Sequence, residues 1–300
     1  MIFSKSNLVI IFFFISKYLI MLHTNGRAII RTFEESKELY LKLIEKIFIN
    51  HDTRIFRIAL PSENHVLGLP IGQHIAIVAQ INGDTISRKY TPISSDDDKG
   101  IMDLIIKVYF KDVHPEYPKG GKMTQYLESL NIGDQMLIKG PKGKITYKEY
   151  GTLIKNIPKL QMIGPIQNGT YKMFGMIAGG SGIAPILQIT RHILKDPNDP
   201  TKIWLLFANK KEEDILLRDE LDQLEKEYPD RFRIWYTLDK APSNWKYSTG
   251  YINAEMIAEF FPSPSDDIAM LHCGPKLMNK IAVVPNLEKL GYSSKHVYKI

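Results

Sequence analysis

The sequence predicts two domains in series, an antiparallel β-barrel and then an α/β domain built on a parallel sheet, with a hydrophobic segment ahead of both. Three observations carry this. Residues 40–145 are strand-rich with a single helical stretch, short apolar strands alternate with helical repeats from Met173 onward, and residues 8–22 read LVIIFFFISKYLIML. A chain of 300 residues is long enough for two domains with cores of their own. The divisions expected are 1–32 for the anchor and tether, 33–149 for the barrel, 150–172 for a connector and 173–300 for the α/β domain.

The N-terminal run is apolar except for Ser16, Lys17 and Tyr18. A spanning helix needs about 20 apolar residues, so this one is short, and Lys17 would have to snorkel to the interface. A secretory signal has a similar core, but His23-Thr-Asn-Gly26 is a poor small-residue cleavage site, which favours an uncleaved anchor. Arg27 and Arg31 follow the run and only Lys5 precedes it, which places the remainder on the cytosolic side. Ile2 excludes the usual route to N-myristoylation.

Strands are expected at 41–49, 53–60, 74–80, 85–93, 102–109 and 135–139, with Asn82-Gly83 as a hairpin turn and a helix over 122–130 that stops before Gly133. Six strands and one helix suggest a small barrel. The stretch 150–172, with Pro158, Gly164-Pro165 and Asn168-Gly169, reads as a connector. Beyond it, strands at 173–178, 203–208, 232–237 and 268–273 alternate with helices at 183–194, 215–228, 254–260 and 277–289. That alternation argues for a parallel sheet covered on both faces.

Composition narrows the function classes. The chain is 44% hydrophobic and 24% charged, with a net charge of +6, which suits an acidic partner or an anionic membrane surface. No zinc spacing, RNP-like motif or dense basic run supports nucleic acid, and no metal site is expected. Cys273 is the single cysteine, so neither an intrachain disulfide nor a cysteine-ligated iron–sulfur cluster can form, in keeping with a reducing compartment. No haem-binding pattern is present, so any haem belongs to another protein.

Chemistry concentrates at Arg88-Lys-Tyr-Thr-Pro-Ile-Ser94. On a strand, Arg88 and Tyr90 share a face. A guanidinium clamps a phosphate while a neighbouring ring lies on a flat heterocycle, and Thr91 adds a hydroxyl at the strand end. That is a seat for a flavin nucleotide, although the same seven residues also suit an ordinary exposed strand. Lys107 and Tyr109 again lie two apart. Gly120-Gly-Lys-Met-Thr124 opens the helix, where glycines (Gly120, Gly121) let the backbone approach a phosphate, free N–H groups of Lys122 and Met123 point outward and Thr124 offers a hydroxyl. Gly179-Gly-Ser-Gly182 joins a strand to a helix and suits a diphosphate without matching the usual dinucleotide fingerprint. Cys273-Gly-Pro275 ends a strand at the carboxyl edge, where open α/β sheets bind ligands. Each of these also has a plain structural reading: a solvated lysine, a glycine turn, a small buried thiol.

Taken together and in this order, the motifs resemble the ferredoxin reductase superfamily through R-x-Y-T/S. They are similar more specifically to the NADH-cytochrome b5 reductase family through Ser94-Ser-Asp-Asp-Asp-Lys-Gly100, Ile106-Lys-Val-Tyr-Phe110, Leu205-Leu-Phe-Ala-Asn209, Trp235-Tyr-Thr-Leu-Asp239 and Cys273-Gly-Pro275. The resemblance runs from about Leu41 to the C-terminus. It implies an FAD-binding barrel, an NADH-binding α/β domain, and hydride transfer from NADH to flavin followed by single electrons to an acidic haem protein, cytochrome b5. It also implies an anchor in the endoplasmic reticulum or mitochondrial outer membrane. In that scheme Arg88, Tyr90, Thr91, Ser94, Lys107, Tyr109 and residues 120–124 serve the flavin side, while Gly179, Gly180, Ser181, Gly182, Phe207, Cys273, Gly274 and Pro275 serve the nicotinamide nucleotide. Thr91, Lys107 and Cys273 would lie nearest the chemistry. Phe207 would line the adenine side, and Asp239 would accept from the ribose diol and repel a 2′-phosphate, selecting NADH over NADPH. Lys122 could steer the cytochrome. Lys89, Ser181, Ala184, Lys276-Leu277 and the terminal Ile300 depart from the family pattern, which puts cofactor tightness and turnover in question. A nitrate-reductase-type haem domain or a quinone as acceptor, or a non-enzymatic membrane-tethered module, are the competing expectations.

Overall fold

The computed structural model describes residues 30–35, 37–113, 115, 117–156 and 168–300. The apolar run 8–22, most of the tether and residues 157–167 of the connector lie outside the described residues. Among the described residues no helix is long and apolar enough to cross a membrane.

The first domain holds strands β1 (Ile30–Arg31), β2 (Lys37–Phe48), β3 (Thr53–Ala59), β4 (His65–Val66), β5 (His74–Ile81), β6 (Asp84–Tyr90), β7 (Ile101–Lys107) and β8 (Gln135–Lys142), and helix α1 (Lys122–Ser129). Six of them form an antiparallel sheet in the order β6-β5-β8-β2-β3-β7. Strand β2 turns the corner. Its first half, from Lys37 to Lys42, pairs with β8, and its second half pairs with β3 through an irregularity between Leu43 and Glu45. Such a bulge bends a strand and strengthens its twist, so the sheet curls around one core of Leu43, Phe56, Ile75, Met102 and Ile138. Helix α1 plugs this core with Met123 and Leu127. The hairpin β5–β6 turns through Asn82 and Gly83 at φ 53° and 84°, the two positive values that a type I′ turn needs. Strands β6 and β7 do not pair with each other. The expected barrel is therefore a curled, open sheet with the Arg88–Tyr90 strand at its edge.

The second domain contains β12 (Met173–Gly179), α2 (Ile183–Lys195), β13 (Lys202–Asn209), α3 (Arg218–Glu227), β14 (Phe232–Leu238), β15 (Ser248–Thr249), α4 (Ala254–Phe260), β16 (Ile268–Cys273) and β17 (Val297–Lys299). Its sheet is parallel, in the order β15-β14-β13-β12-β16-β17. Every residue of β12 is buried, as expected of a central parallel strand covered on both faces. Alternate residues feed different cores: Phe174, Met176 and Ala178 pack with α2, and Met173 and Ile177 with α4.

The structure departs from expectation where local signals are weak. Helix α3 starts only at Arg218, because Leu217 takes a left-handed conformation at φ 57°. The stretch 277–289 is interrupted. It runs as Lys276–Met278, a π-helical turn Asn279–Val283, and Val284–Lys289, and Pro285 removes one donor from the ladder. The expected connector contributes β10 (Thr152–Lys155) and β11 (Asn168–Thr170) to a small antiparallel sheet completed by β9 (Ile145–Tyr147), the end of the expected first domain.

Polar contacts join the two domains. The Tyr147 hydroxyl donates to Asp199, and the Gly72 N–H donates to Gln188 Oε1 at 2.8 Å. Arg191 grips Glu220 with two bonds of 2.6 Å and also donates to the Ile93 carbonyl.

Candidate active site

The flavin-side residues gather at the edge strand β6 and the start of α1. Arg88 is exposed, and the one bond from its guanidinium goes to the Ser87 carbonyl at 2.9 Å. Among the described residues it has no carboxylate partner, so its fork remains free for a phosphate. Tyr90 is half-buried against the first core. Burial pushes its phenol pKa up, Arg88 opposes the shift, and Tyr109 stands close enough to add to it. Thr91 follows β6, half-buried.

Helix α1 begins at Gly121 without a side-chain cap, which leaves its first-turn N–H groups and positive dipole end for an anion. Gly120 sits at φ +62°, and a Cβ there would lie 2.4 Å from the Tyr109 carbonyl oxygen. Only glycine allows this close passage. An unpaired guanidinium, a half-buried ring and an uncapped helix end fit a flavin nucleotide.

Three side chains on this side already have partners within the fold. The Thr124 hydroxyl is already engaged, accepting from the Tyr109 N–H at 3.1 Å and donating to the Gly121 carbonyl at 3.2 Å, so it braces the glycine turn. Met123 is buried in the core and offers its backbone alone. Ser94 is buried, and its hydroxyl accepts from the Asp103 N–H at 3.0 Å. Lys122 is paired with Asp84 at 3.0 Å in an exposed ion pair, which offsets the charge expected to steer a partner.

On the nucleotide side, two loops meet at the carboxyl edge of the parallel sheet. The first is Gly179 followed by the 3-10 turn Gly180–Gly182 ahead of α2, with Ser181 half-buried in it; the second is Cys273-Gly274-Pro275 after β16. A Cβ on Gly182 would lie 2.2 Å from the Cys273 carbonyl oxygen, and one on Gly274 would lie 3.1 Å from the Gly179 nitrogen. Gly180, at φ +53°, has nothing among the described residues within 4 Å of such an atom, so the loop opens away from them there. Helix α2, like α1, starts without a side-chain cap. The Cys273 thiol is pushed up to about 11 by burial, with Lys299 opposing, so it is a neutral thiol at pH 7 and not a thiolate nucleophile. Asn279 steadies the turn by donating to the Gly274 carbonyl at 3.0 Å while facing His272 Nδ1 at 3.0 Å.

Asp239 is exposed just beyond β14, and its N–H donates to the Asn209 carbonyl at 3.1 Å. Burial raises its carboxyl pKa, against the pull of Lys210. Phe207 is a correction: it is 0% exposed, its ring 6.3 Å from that of Tyr236. It faces the core between sheet and helices because period-two alternation on β13 turns it inward.

Lys107 bridges the two halves. Its ammonium lies 2.7 Å from Asp52 Oδ2 and 3.4 Å from Asp214 Oδ1 of the second domain. Burial opposes its charge, but the two carboxylates outweigh it and raise the pKa. Sequence reasoning missed Asp52, Asp214, Arg191 and Asn279, which no motif marks. It also missed Asn209 within the Leu205–Asn209 motif, whose side-chain oxygen and nitrogen are buried and have no partner among the described residues.

Comparison with known proteins agrees with this division. Residues 40–147 match the oxidoreductase FAD-binding domain family and residues 176–283 the oxidoreductase NAD-binding domain family. NADH-cytochrome b5 reductase 3 of Rattus norvegicus is 52% identical over 258 residues, covering 86% of this chain and 85% of the rat protein. NADH-cytochrome b5 reductase 1 of Homo sapiens is 46% identical over 275 residues, covering 92% and 89%. The cytochrome b5 reductase domain of Ulva prolifera nitrate reductase superposes with a TM-score of 0.81 at 38% identity, over 91% of this chain and all of that domain. With half of its residues shared along nearly the whole length of such relatives, the chain belongs to the NADH-cytochrome b5 reductase family.

Proposed function

We propose that this chain passes electrons from NADH to cytochrome b5. The observation that carries the reading is the meeting of the two glycine loops at the carboxyl edge of the nucleotide sheet, tied by Lys107 to the curled sheet that carries Arg88 and Tyr90. When bound, FAD supplies the two-electron acceptance and one-electron release that no side chain provides. The protein's own part is binding and orientation. Arg88 and the uncapped start of α1 hold the flavin's phosphates, Tyr90 packs on its ring system, and Thr91 meets its polar edge. The Gly179–Gly182 loop takes the dinucleotide's diphosphate, Cys273 and Pro275 bound the nicotinamide, and Asp239 accepts from the adenosine ribose.

Cytochrome b5 is an acidic protein, so the net charge of +6 favours encounter. With Lys122 offset by Asp84, attraction rests on the basic surface as a whole. The run 8–22 is the proposed anchor, with the catalytic domains on the cytosolic face of the endoplasmic reticulum or mitochondrial outer membrane. A second acceptor, a nitrate-reductase-type haem domain, is suggested by the algal structure.

The experiment is an anaerobic visible spectrum of the purified protein titrated with NADH, then mixed with oxidised cytochrome b5. Flavin bands should bleach with NADH and recover as the haem is reduced, at a rate that falls with added salt. Protein without flavin bands even after FAD is added would refute the proposal. Bleaching without transfer to cytochrome b5 would move the assignment to another acceptor.

A further inference from the structure

We infer that Asp214 is a positioning residue that acts across the domain boundary: with Asp52 it holds the Lys107 ammonium in the cleft where the dinucleotide arrives. This rests on the NADH reading above.

The two carboxylates come from different halves of the molecule. Asp52 lies in the turn between β2 and β3, while Asp214 ends the 3-10 turn Glu212–Asp214 after β13. Asp214 is anchored from behind, since its Oδ2 accepts the Lys211 N–H at 3.2 Å while its Oδ1 faces the ammonium at 3.4 Å. The turn itself is fastened to the first domain, where Asn50 Nδ2 donates to the Glu213 carbonyl at 3.2 Å. An ammonium has three donors. Two are committed, one to each domain, and the third stays available to an acceptor on the nucleotide.

His51, Asp52 and Asp214 place ligand-type atoms within 4.8 Å of one another. The cation at this point is the lysine itself, 2.7 Å from Asp52, so the cluster reads as a seat for Lys107 and not for a metal. Without the charge of Asp214, the ammonium relaxes onto Asp52 alone, and its flexible four-carbon stem no longer has a fixed point in the second domain.

The test is Asp214→Asn in the FAD-loaded enzyme. Asparagine keeps the volume and an oxygen for the Lys211 N–H, and in place of the charged acceptor facing the ammonium it puts a neutral amide NH2. Binding of NAD+ is read from the perturbation of the flavin spectrum, and KM and kcat for NADH from ferricyanide reduction. The expected result is about fivefold weaker NAD+ binding with a matching rise in KM and kcat within about twofold. Tm should stay within about 2 °C. In a Lys107→Met background the same substitution should have no further effect, because the residue works through the lysine. Unchanged binding, or an equal loss in both backgrounds, would overturn the inference. So would tighter binding in both, the sign expected if Asp214 merely repelled the anionic dinucleotide. Failure of the unsubstituted enzyme to bleach with NADH would instead overturn the oxidoreductase reading beneath it.

Discussion

Gly182→Ala adds one methyl group at the point where the two nucleotide-side loops touch. The backbone at Gly182 has φ −65° and ψ −6°, which suits alanine, so the whole effect comes from contact. The new Cβ would lie 2.2 Å from the Cys273 carbonyl oxygen, 2.5 Å from its carbon and 2.9 Å from the Gly274 nitrogen. Ordinary contact begins at 3.4 Å, so the loops must part by 3.4 − 2.2 = 1.2 Å. Both sides of the contact are main chain, and no side chain can swing aside. Overpacking of this kind costs about 1–3 kcal/mol, a fall in Tm of roughly 2–5 °C for a chain of this size. The effect on chemistry should be larger, since a misplacement of about 1 Å costs about 100-fold in rate. Stopped-flow bleaching of the flavin by NADH, alongside differential scanning calorimetry, measures both. Reduction within about threefold of the parent with an unchanged Tm would refute the claim that contact between these loops sets the position of the nicotinamide.

Two further outcomes follow from the site and its surroundings. Asp239→Asn removes the charge expected to face a 2′-phosphate; near water, two unit charges about 4 Å apart interact by about 1 kcal/mol. The ratio of kcat/KM for NADH over NADPH should therefore fall by roughly fivefold, and an unchanged ratio would remove Asp239 from cofactor selection. His74 is held down to about 4 by burial and by Lys89 and Lys142. Its folded pKa is depressed, so the unfolded chain binds the extra proton first. The contribution is fully present above pH 6.5 and lost as pH falls from 6.5 towards 4. Urea denaturation of His74→Gln should show a flatter loss of stability across that window, and an identical pH slope would show that His74 does not titrate there.

How far the fold could be read from the residues depended on the range of the interaction. Strand β3 is long enough for its alternation to show, β12 reads as one continuous apolar run, and Asn82-Gly83 names its own turn. Two- and three-residue strands such as β15 and β17 carry no period, and the sheet pairs them through contacts distant in sequence. The left-handed Leu217 and the π-helical turn before Pro285 likewise belong to tertiary packing. At the candidate site, motifs located the glycine loops because a backbone that must approach a phosphate restricts the residue type. They failed at Phe207, where an aromatic ring fits a core as well as a cleft, and they gave no sign that the Thr124 hydroxyl also braces its own turn. Asp214 was invisible because it lies 107 positions from Lys107.

The core shared between the two halves bears on how the chain comes apart. Ile93, Ile105, Ile145 and Tyr147, all from the first half, pack in one apolar cluster with Phe174, Leu187 and Phe207 from the second. A proteolytic nick in the connector would leave two fragments, each with a greasy face that water must wet, so neither half is a self-sufficient module. Melting should be one cooperative event, and an exchange of halves between two reductases would succeed only if the partners on both sides of this seam travelled together.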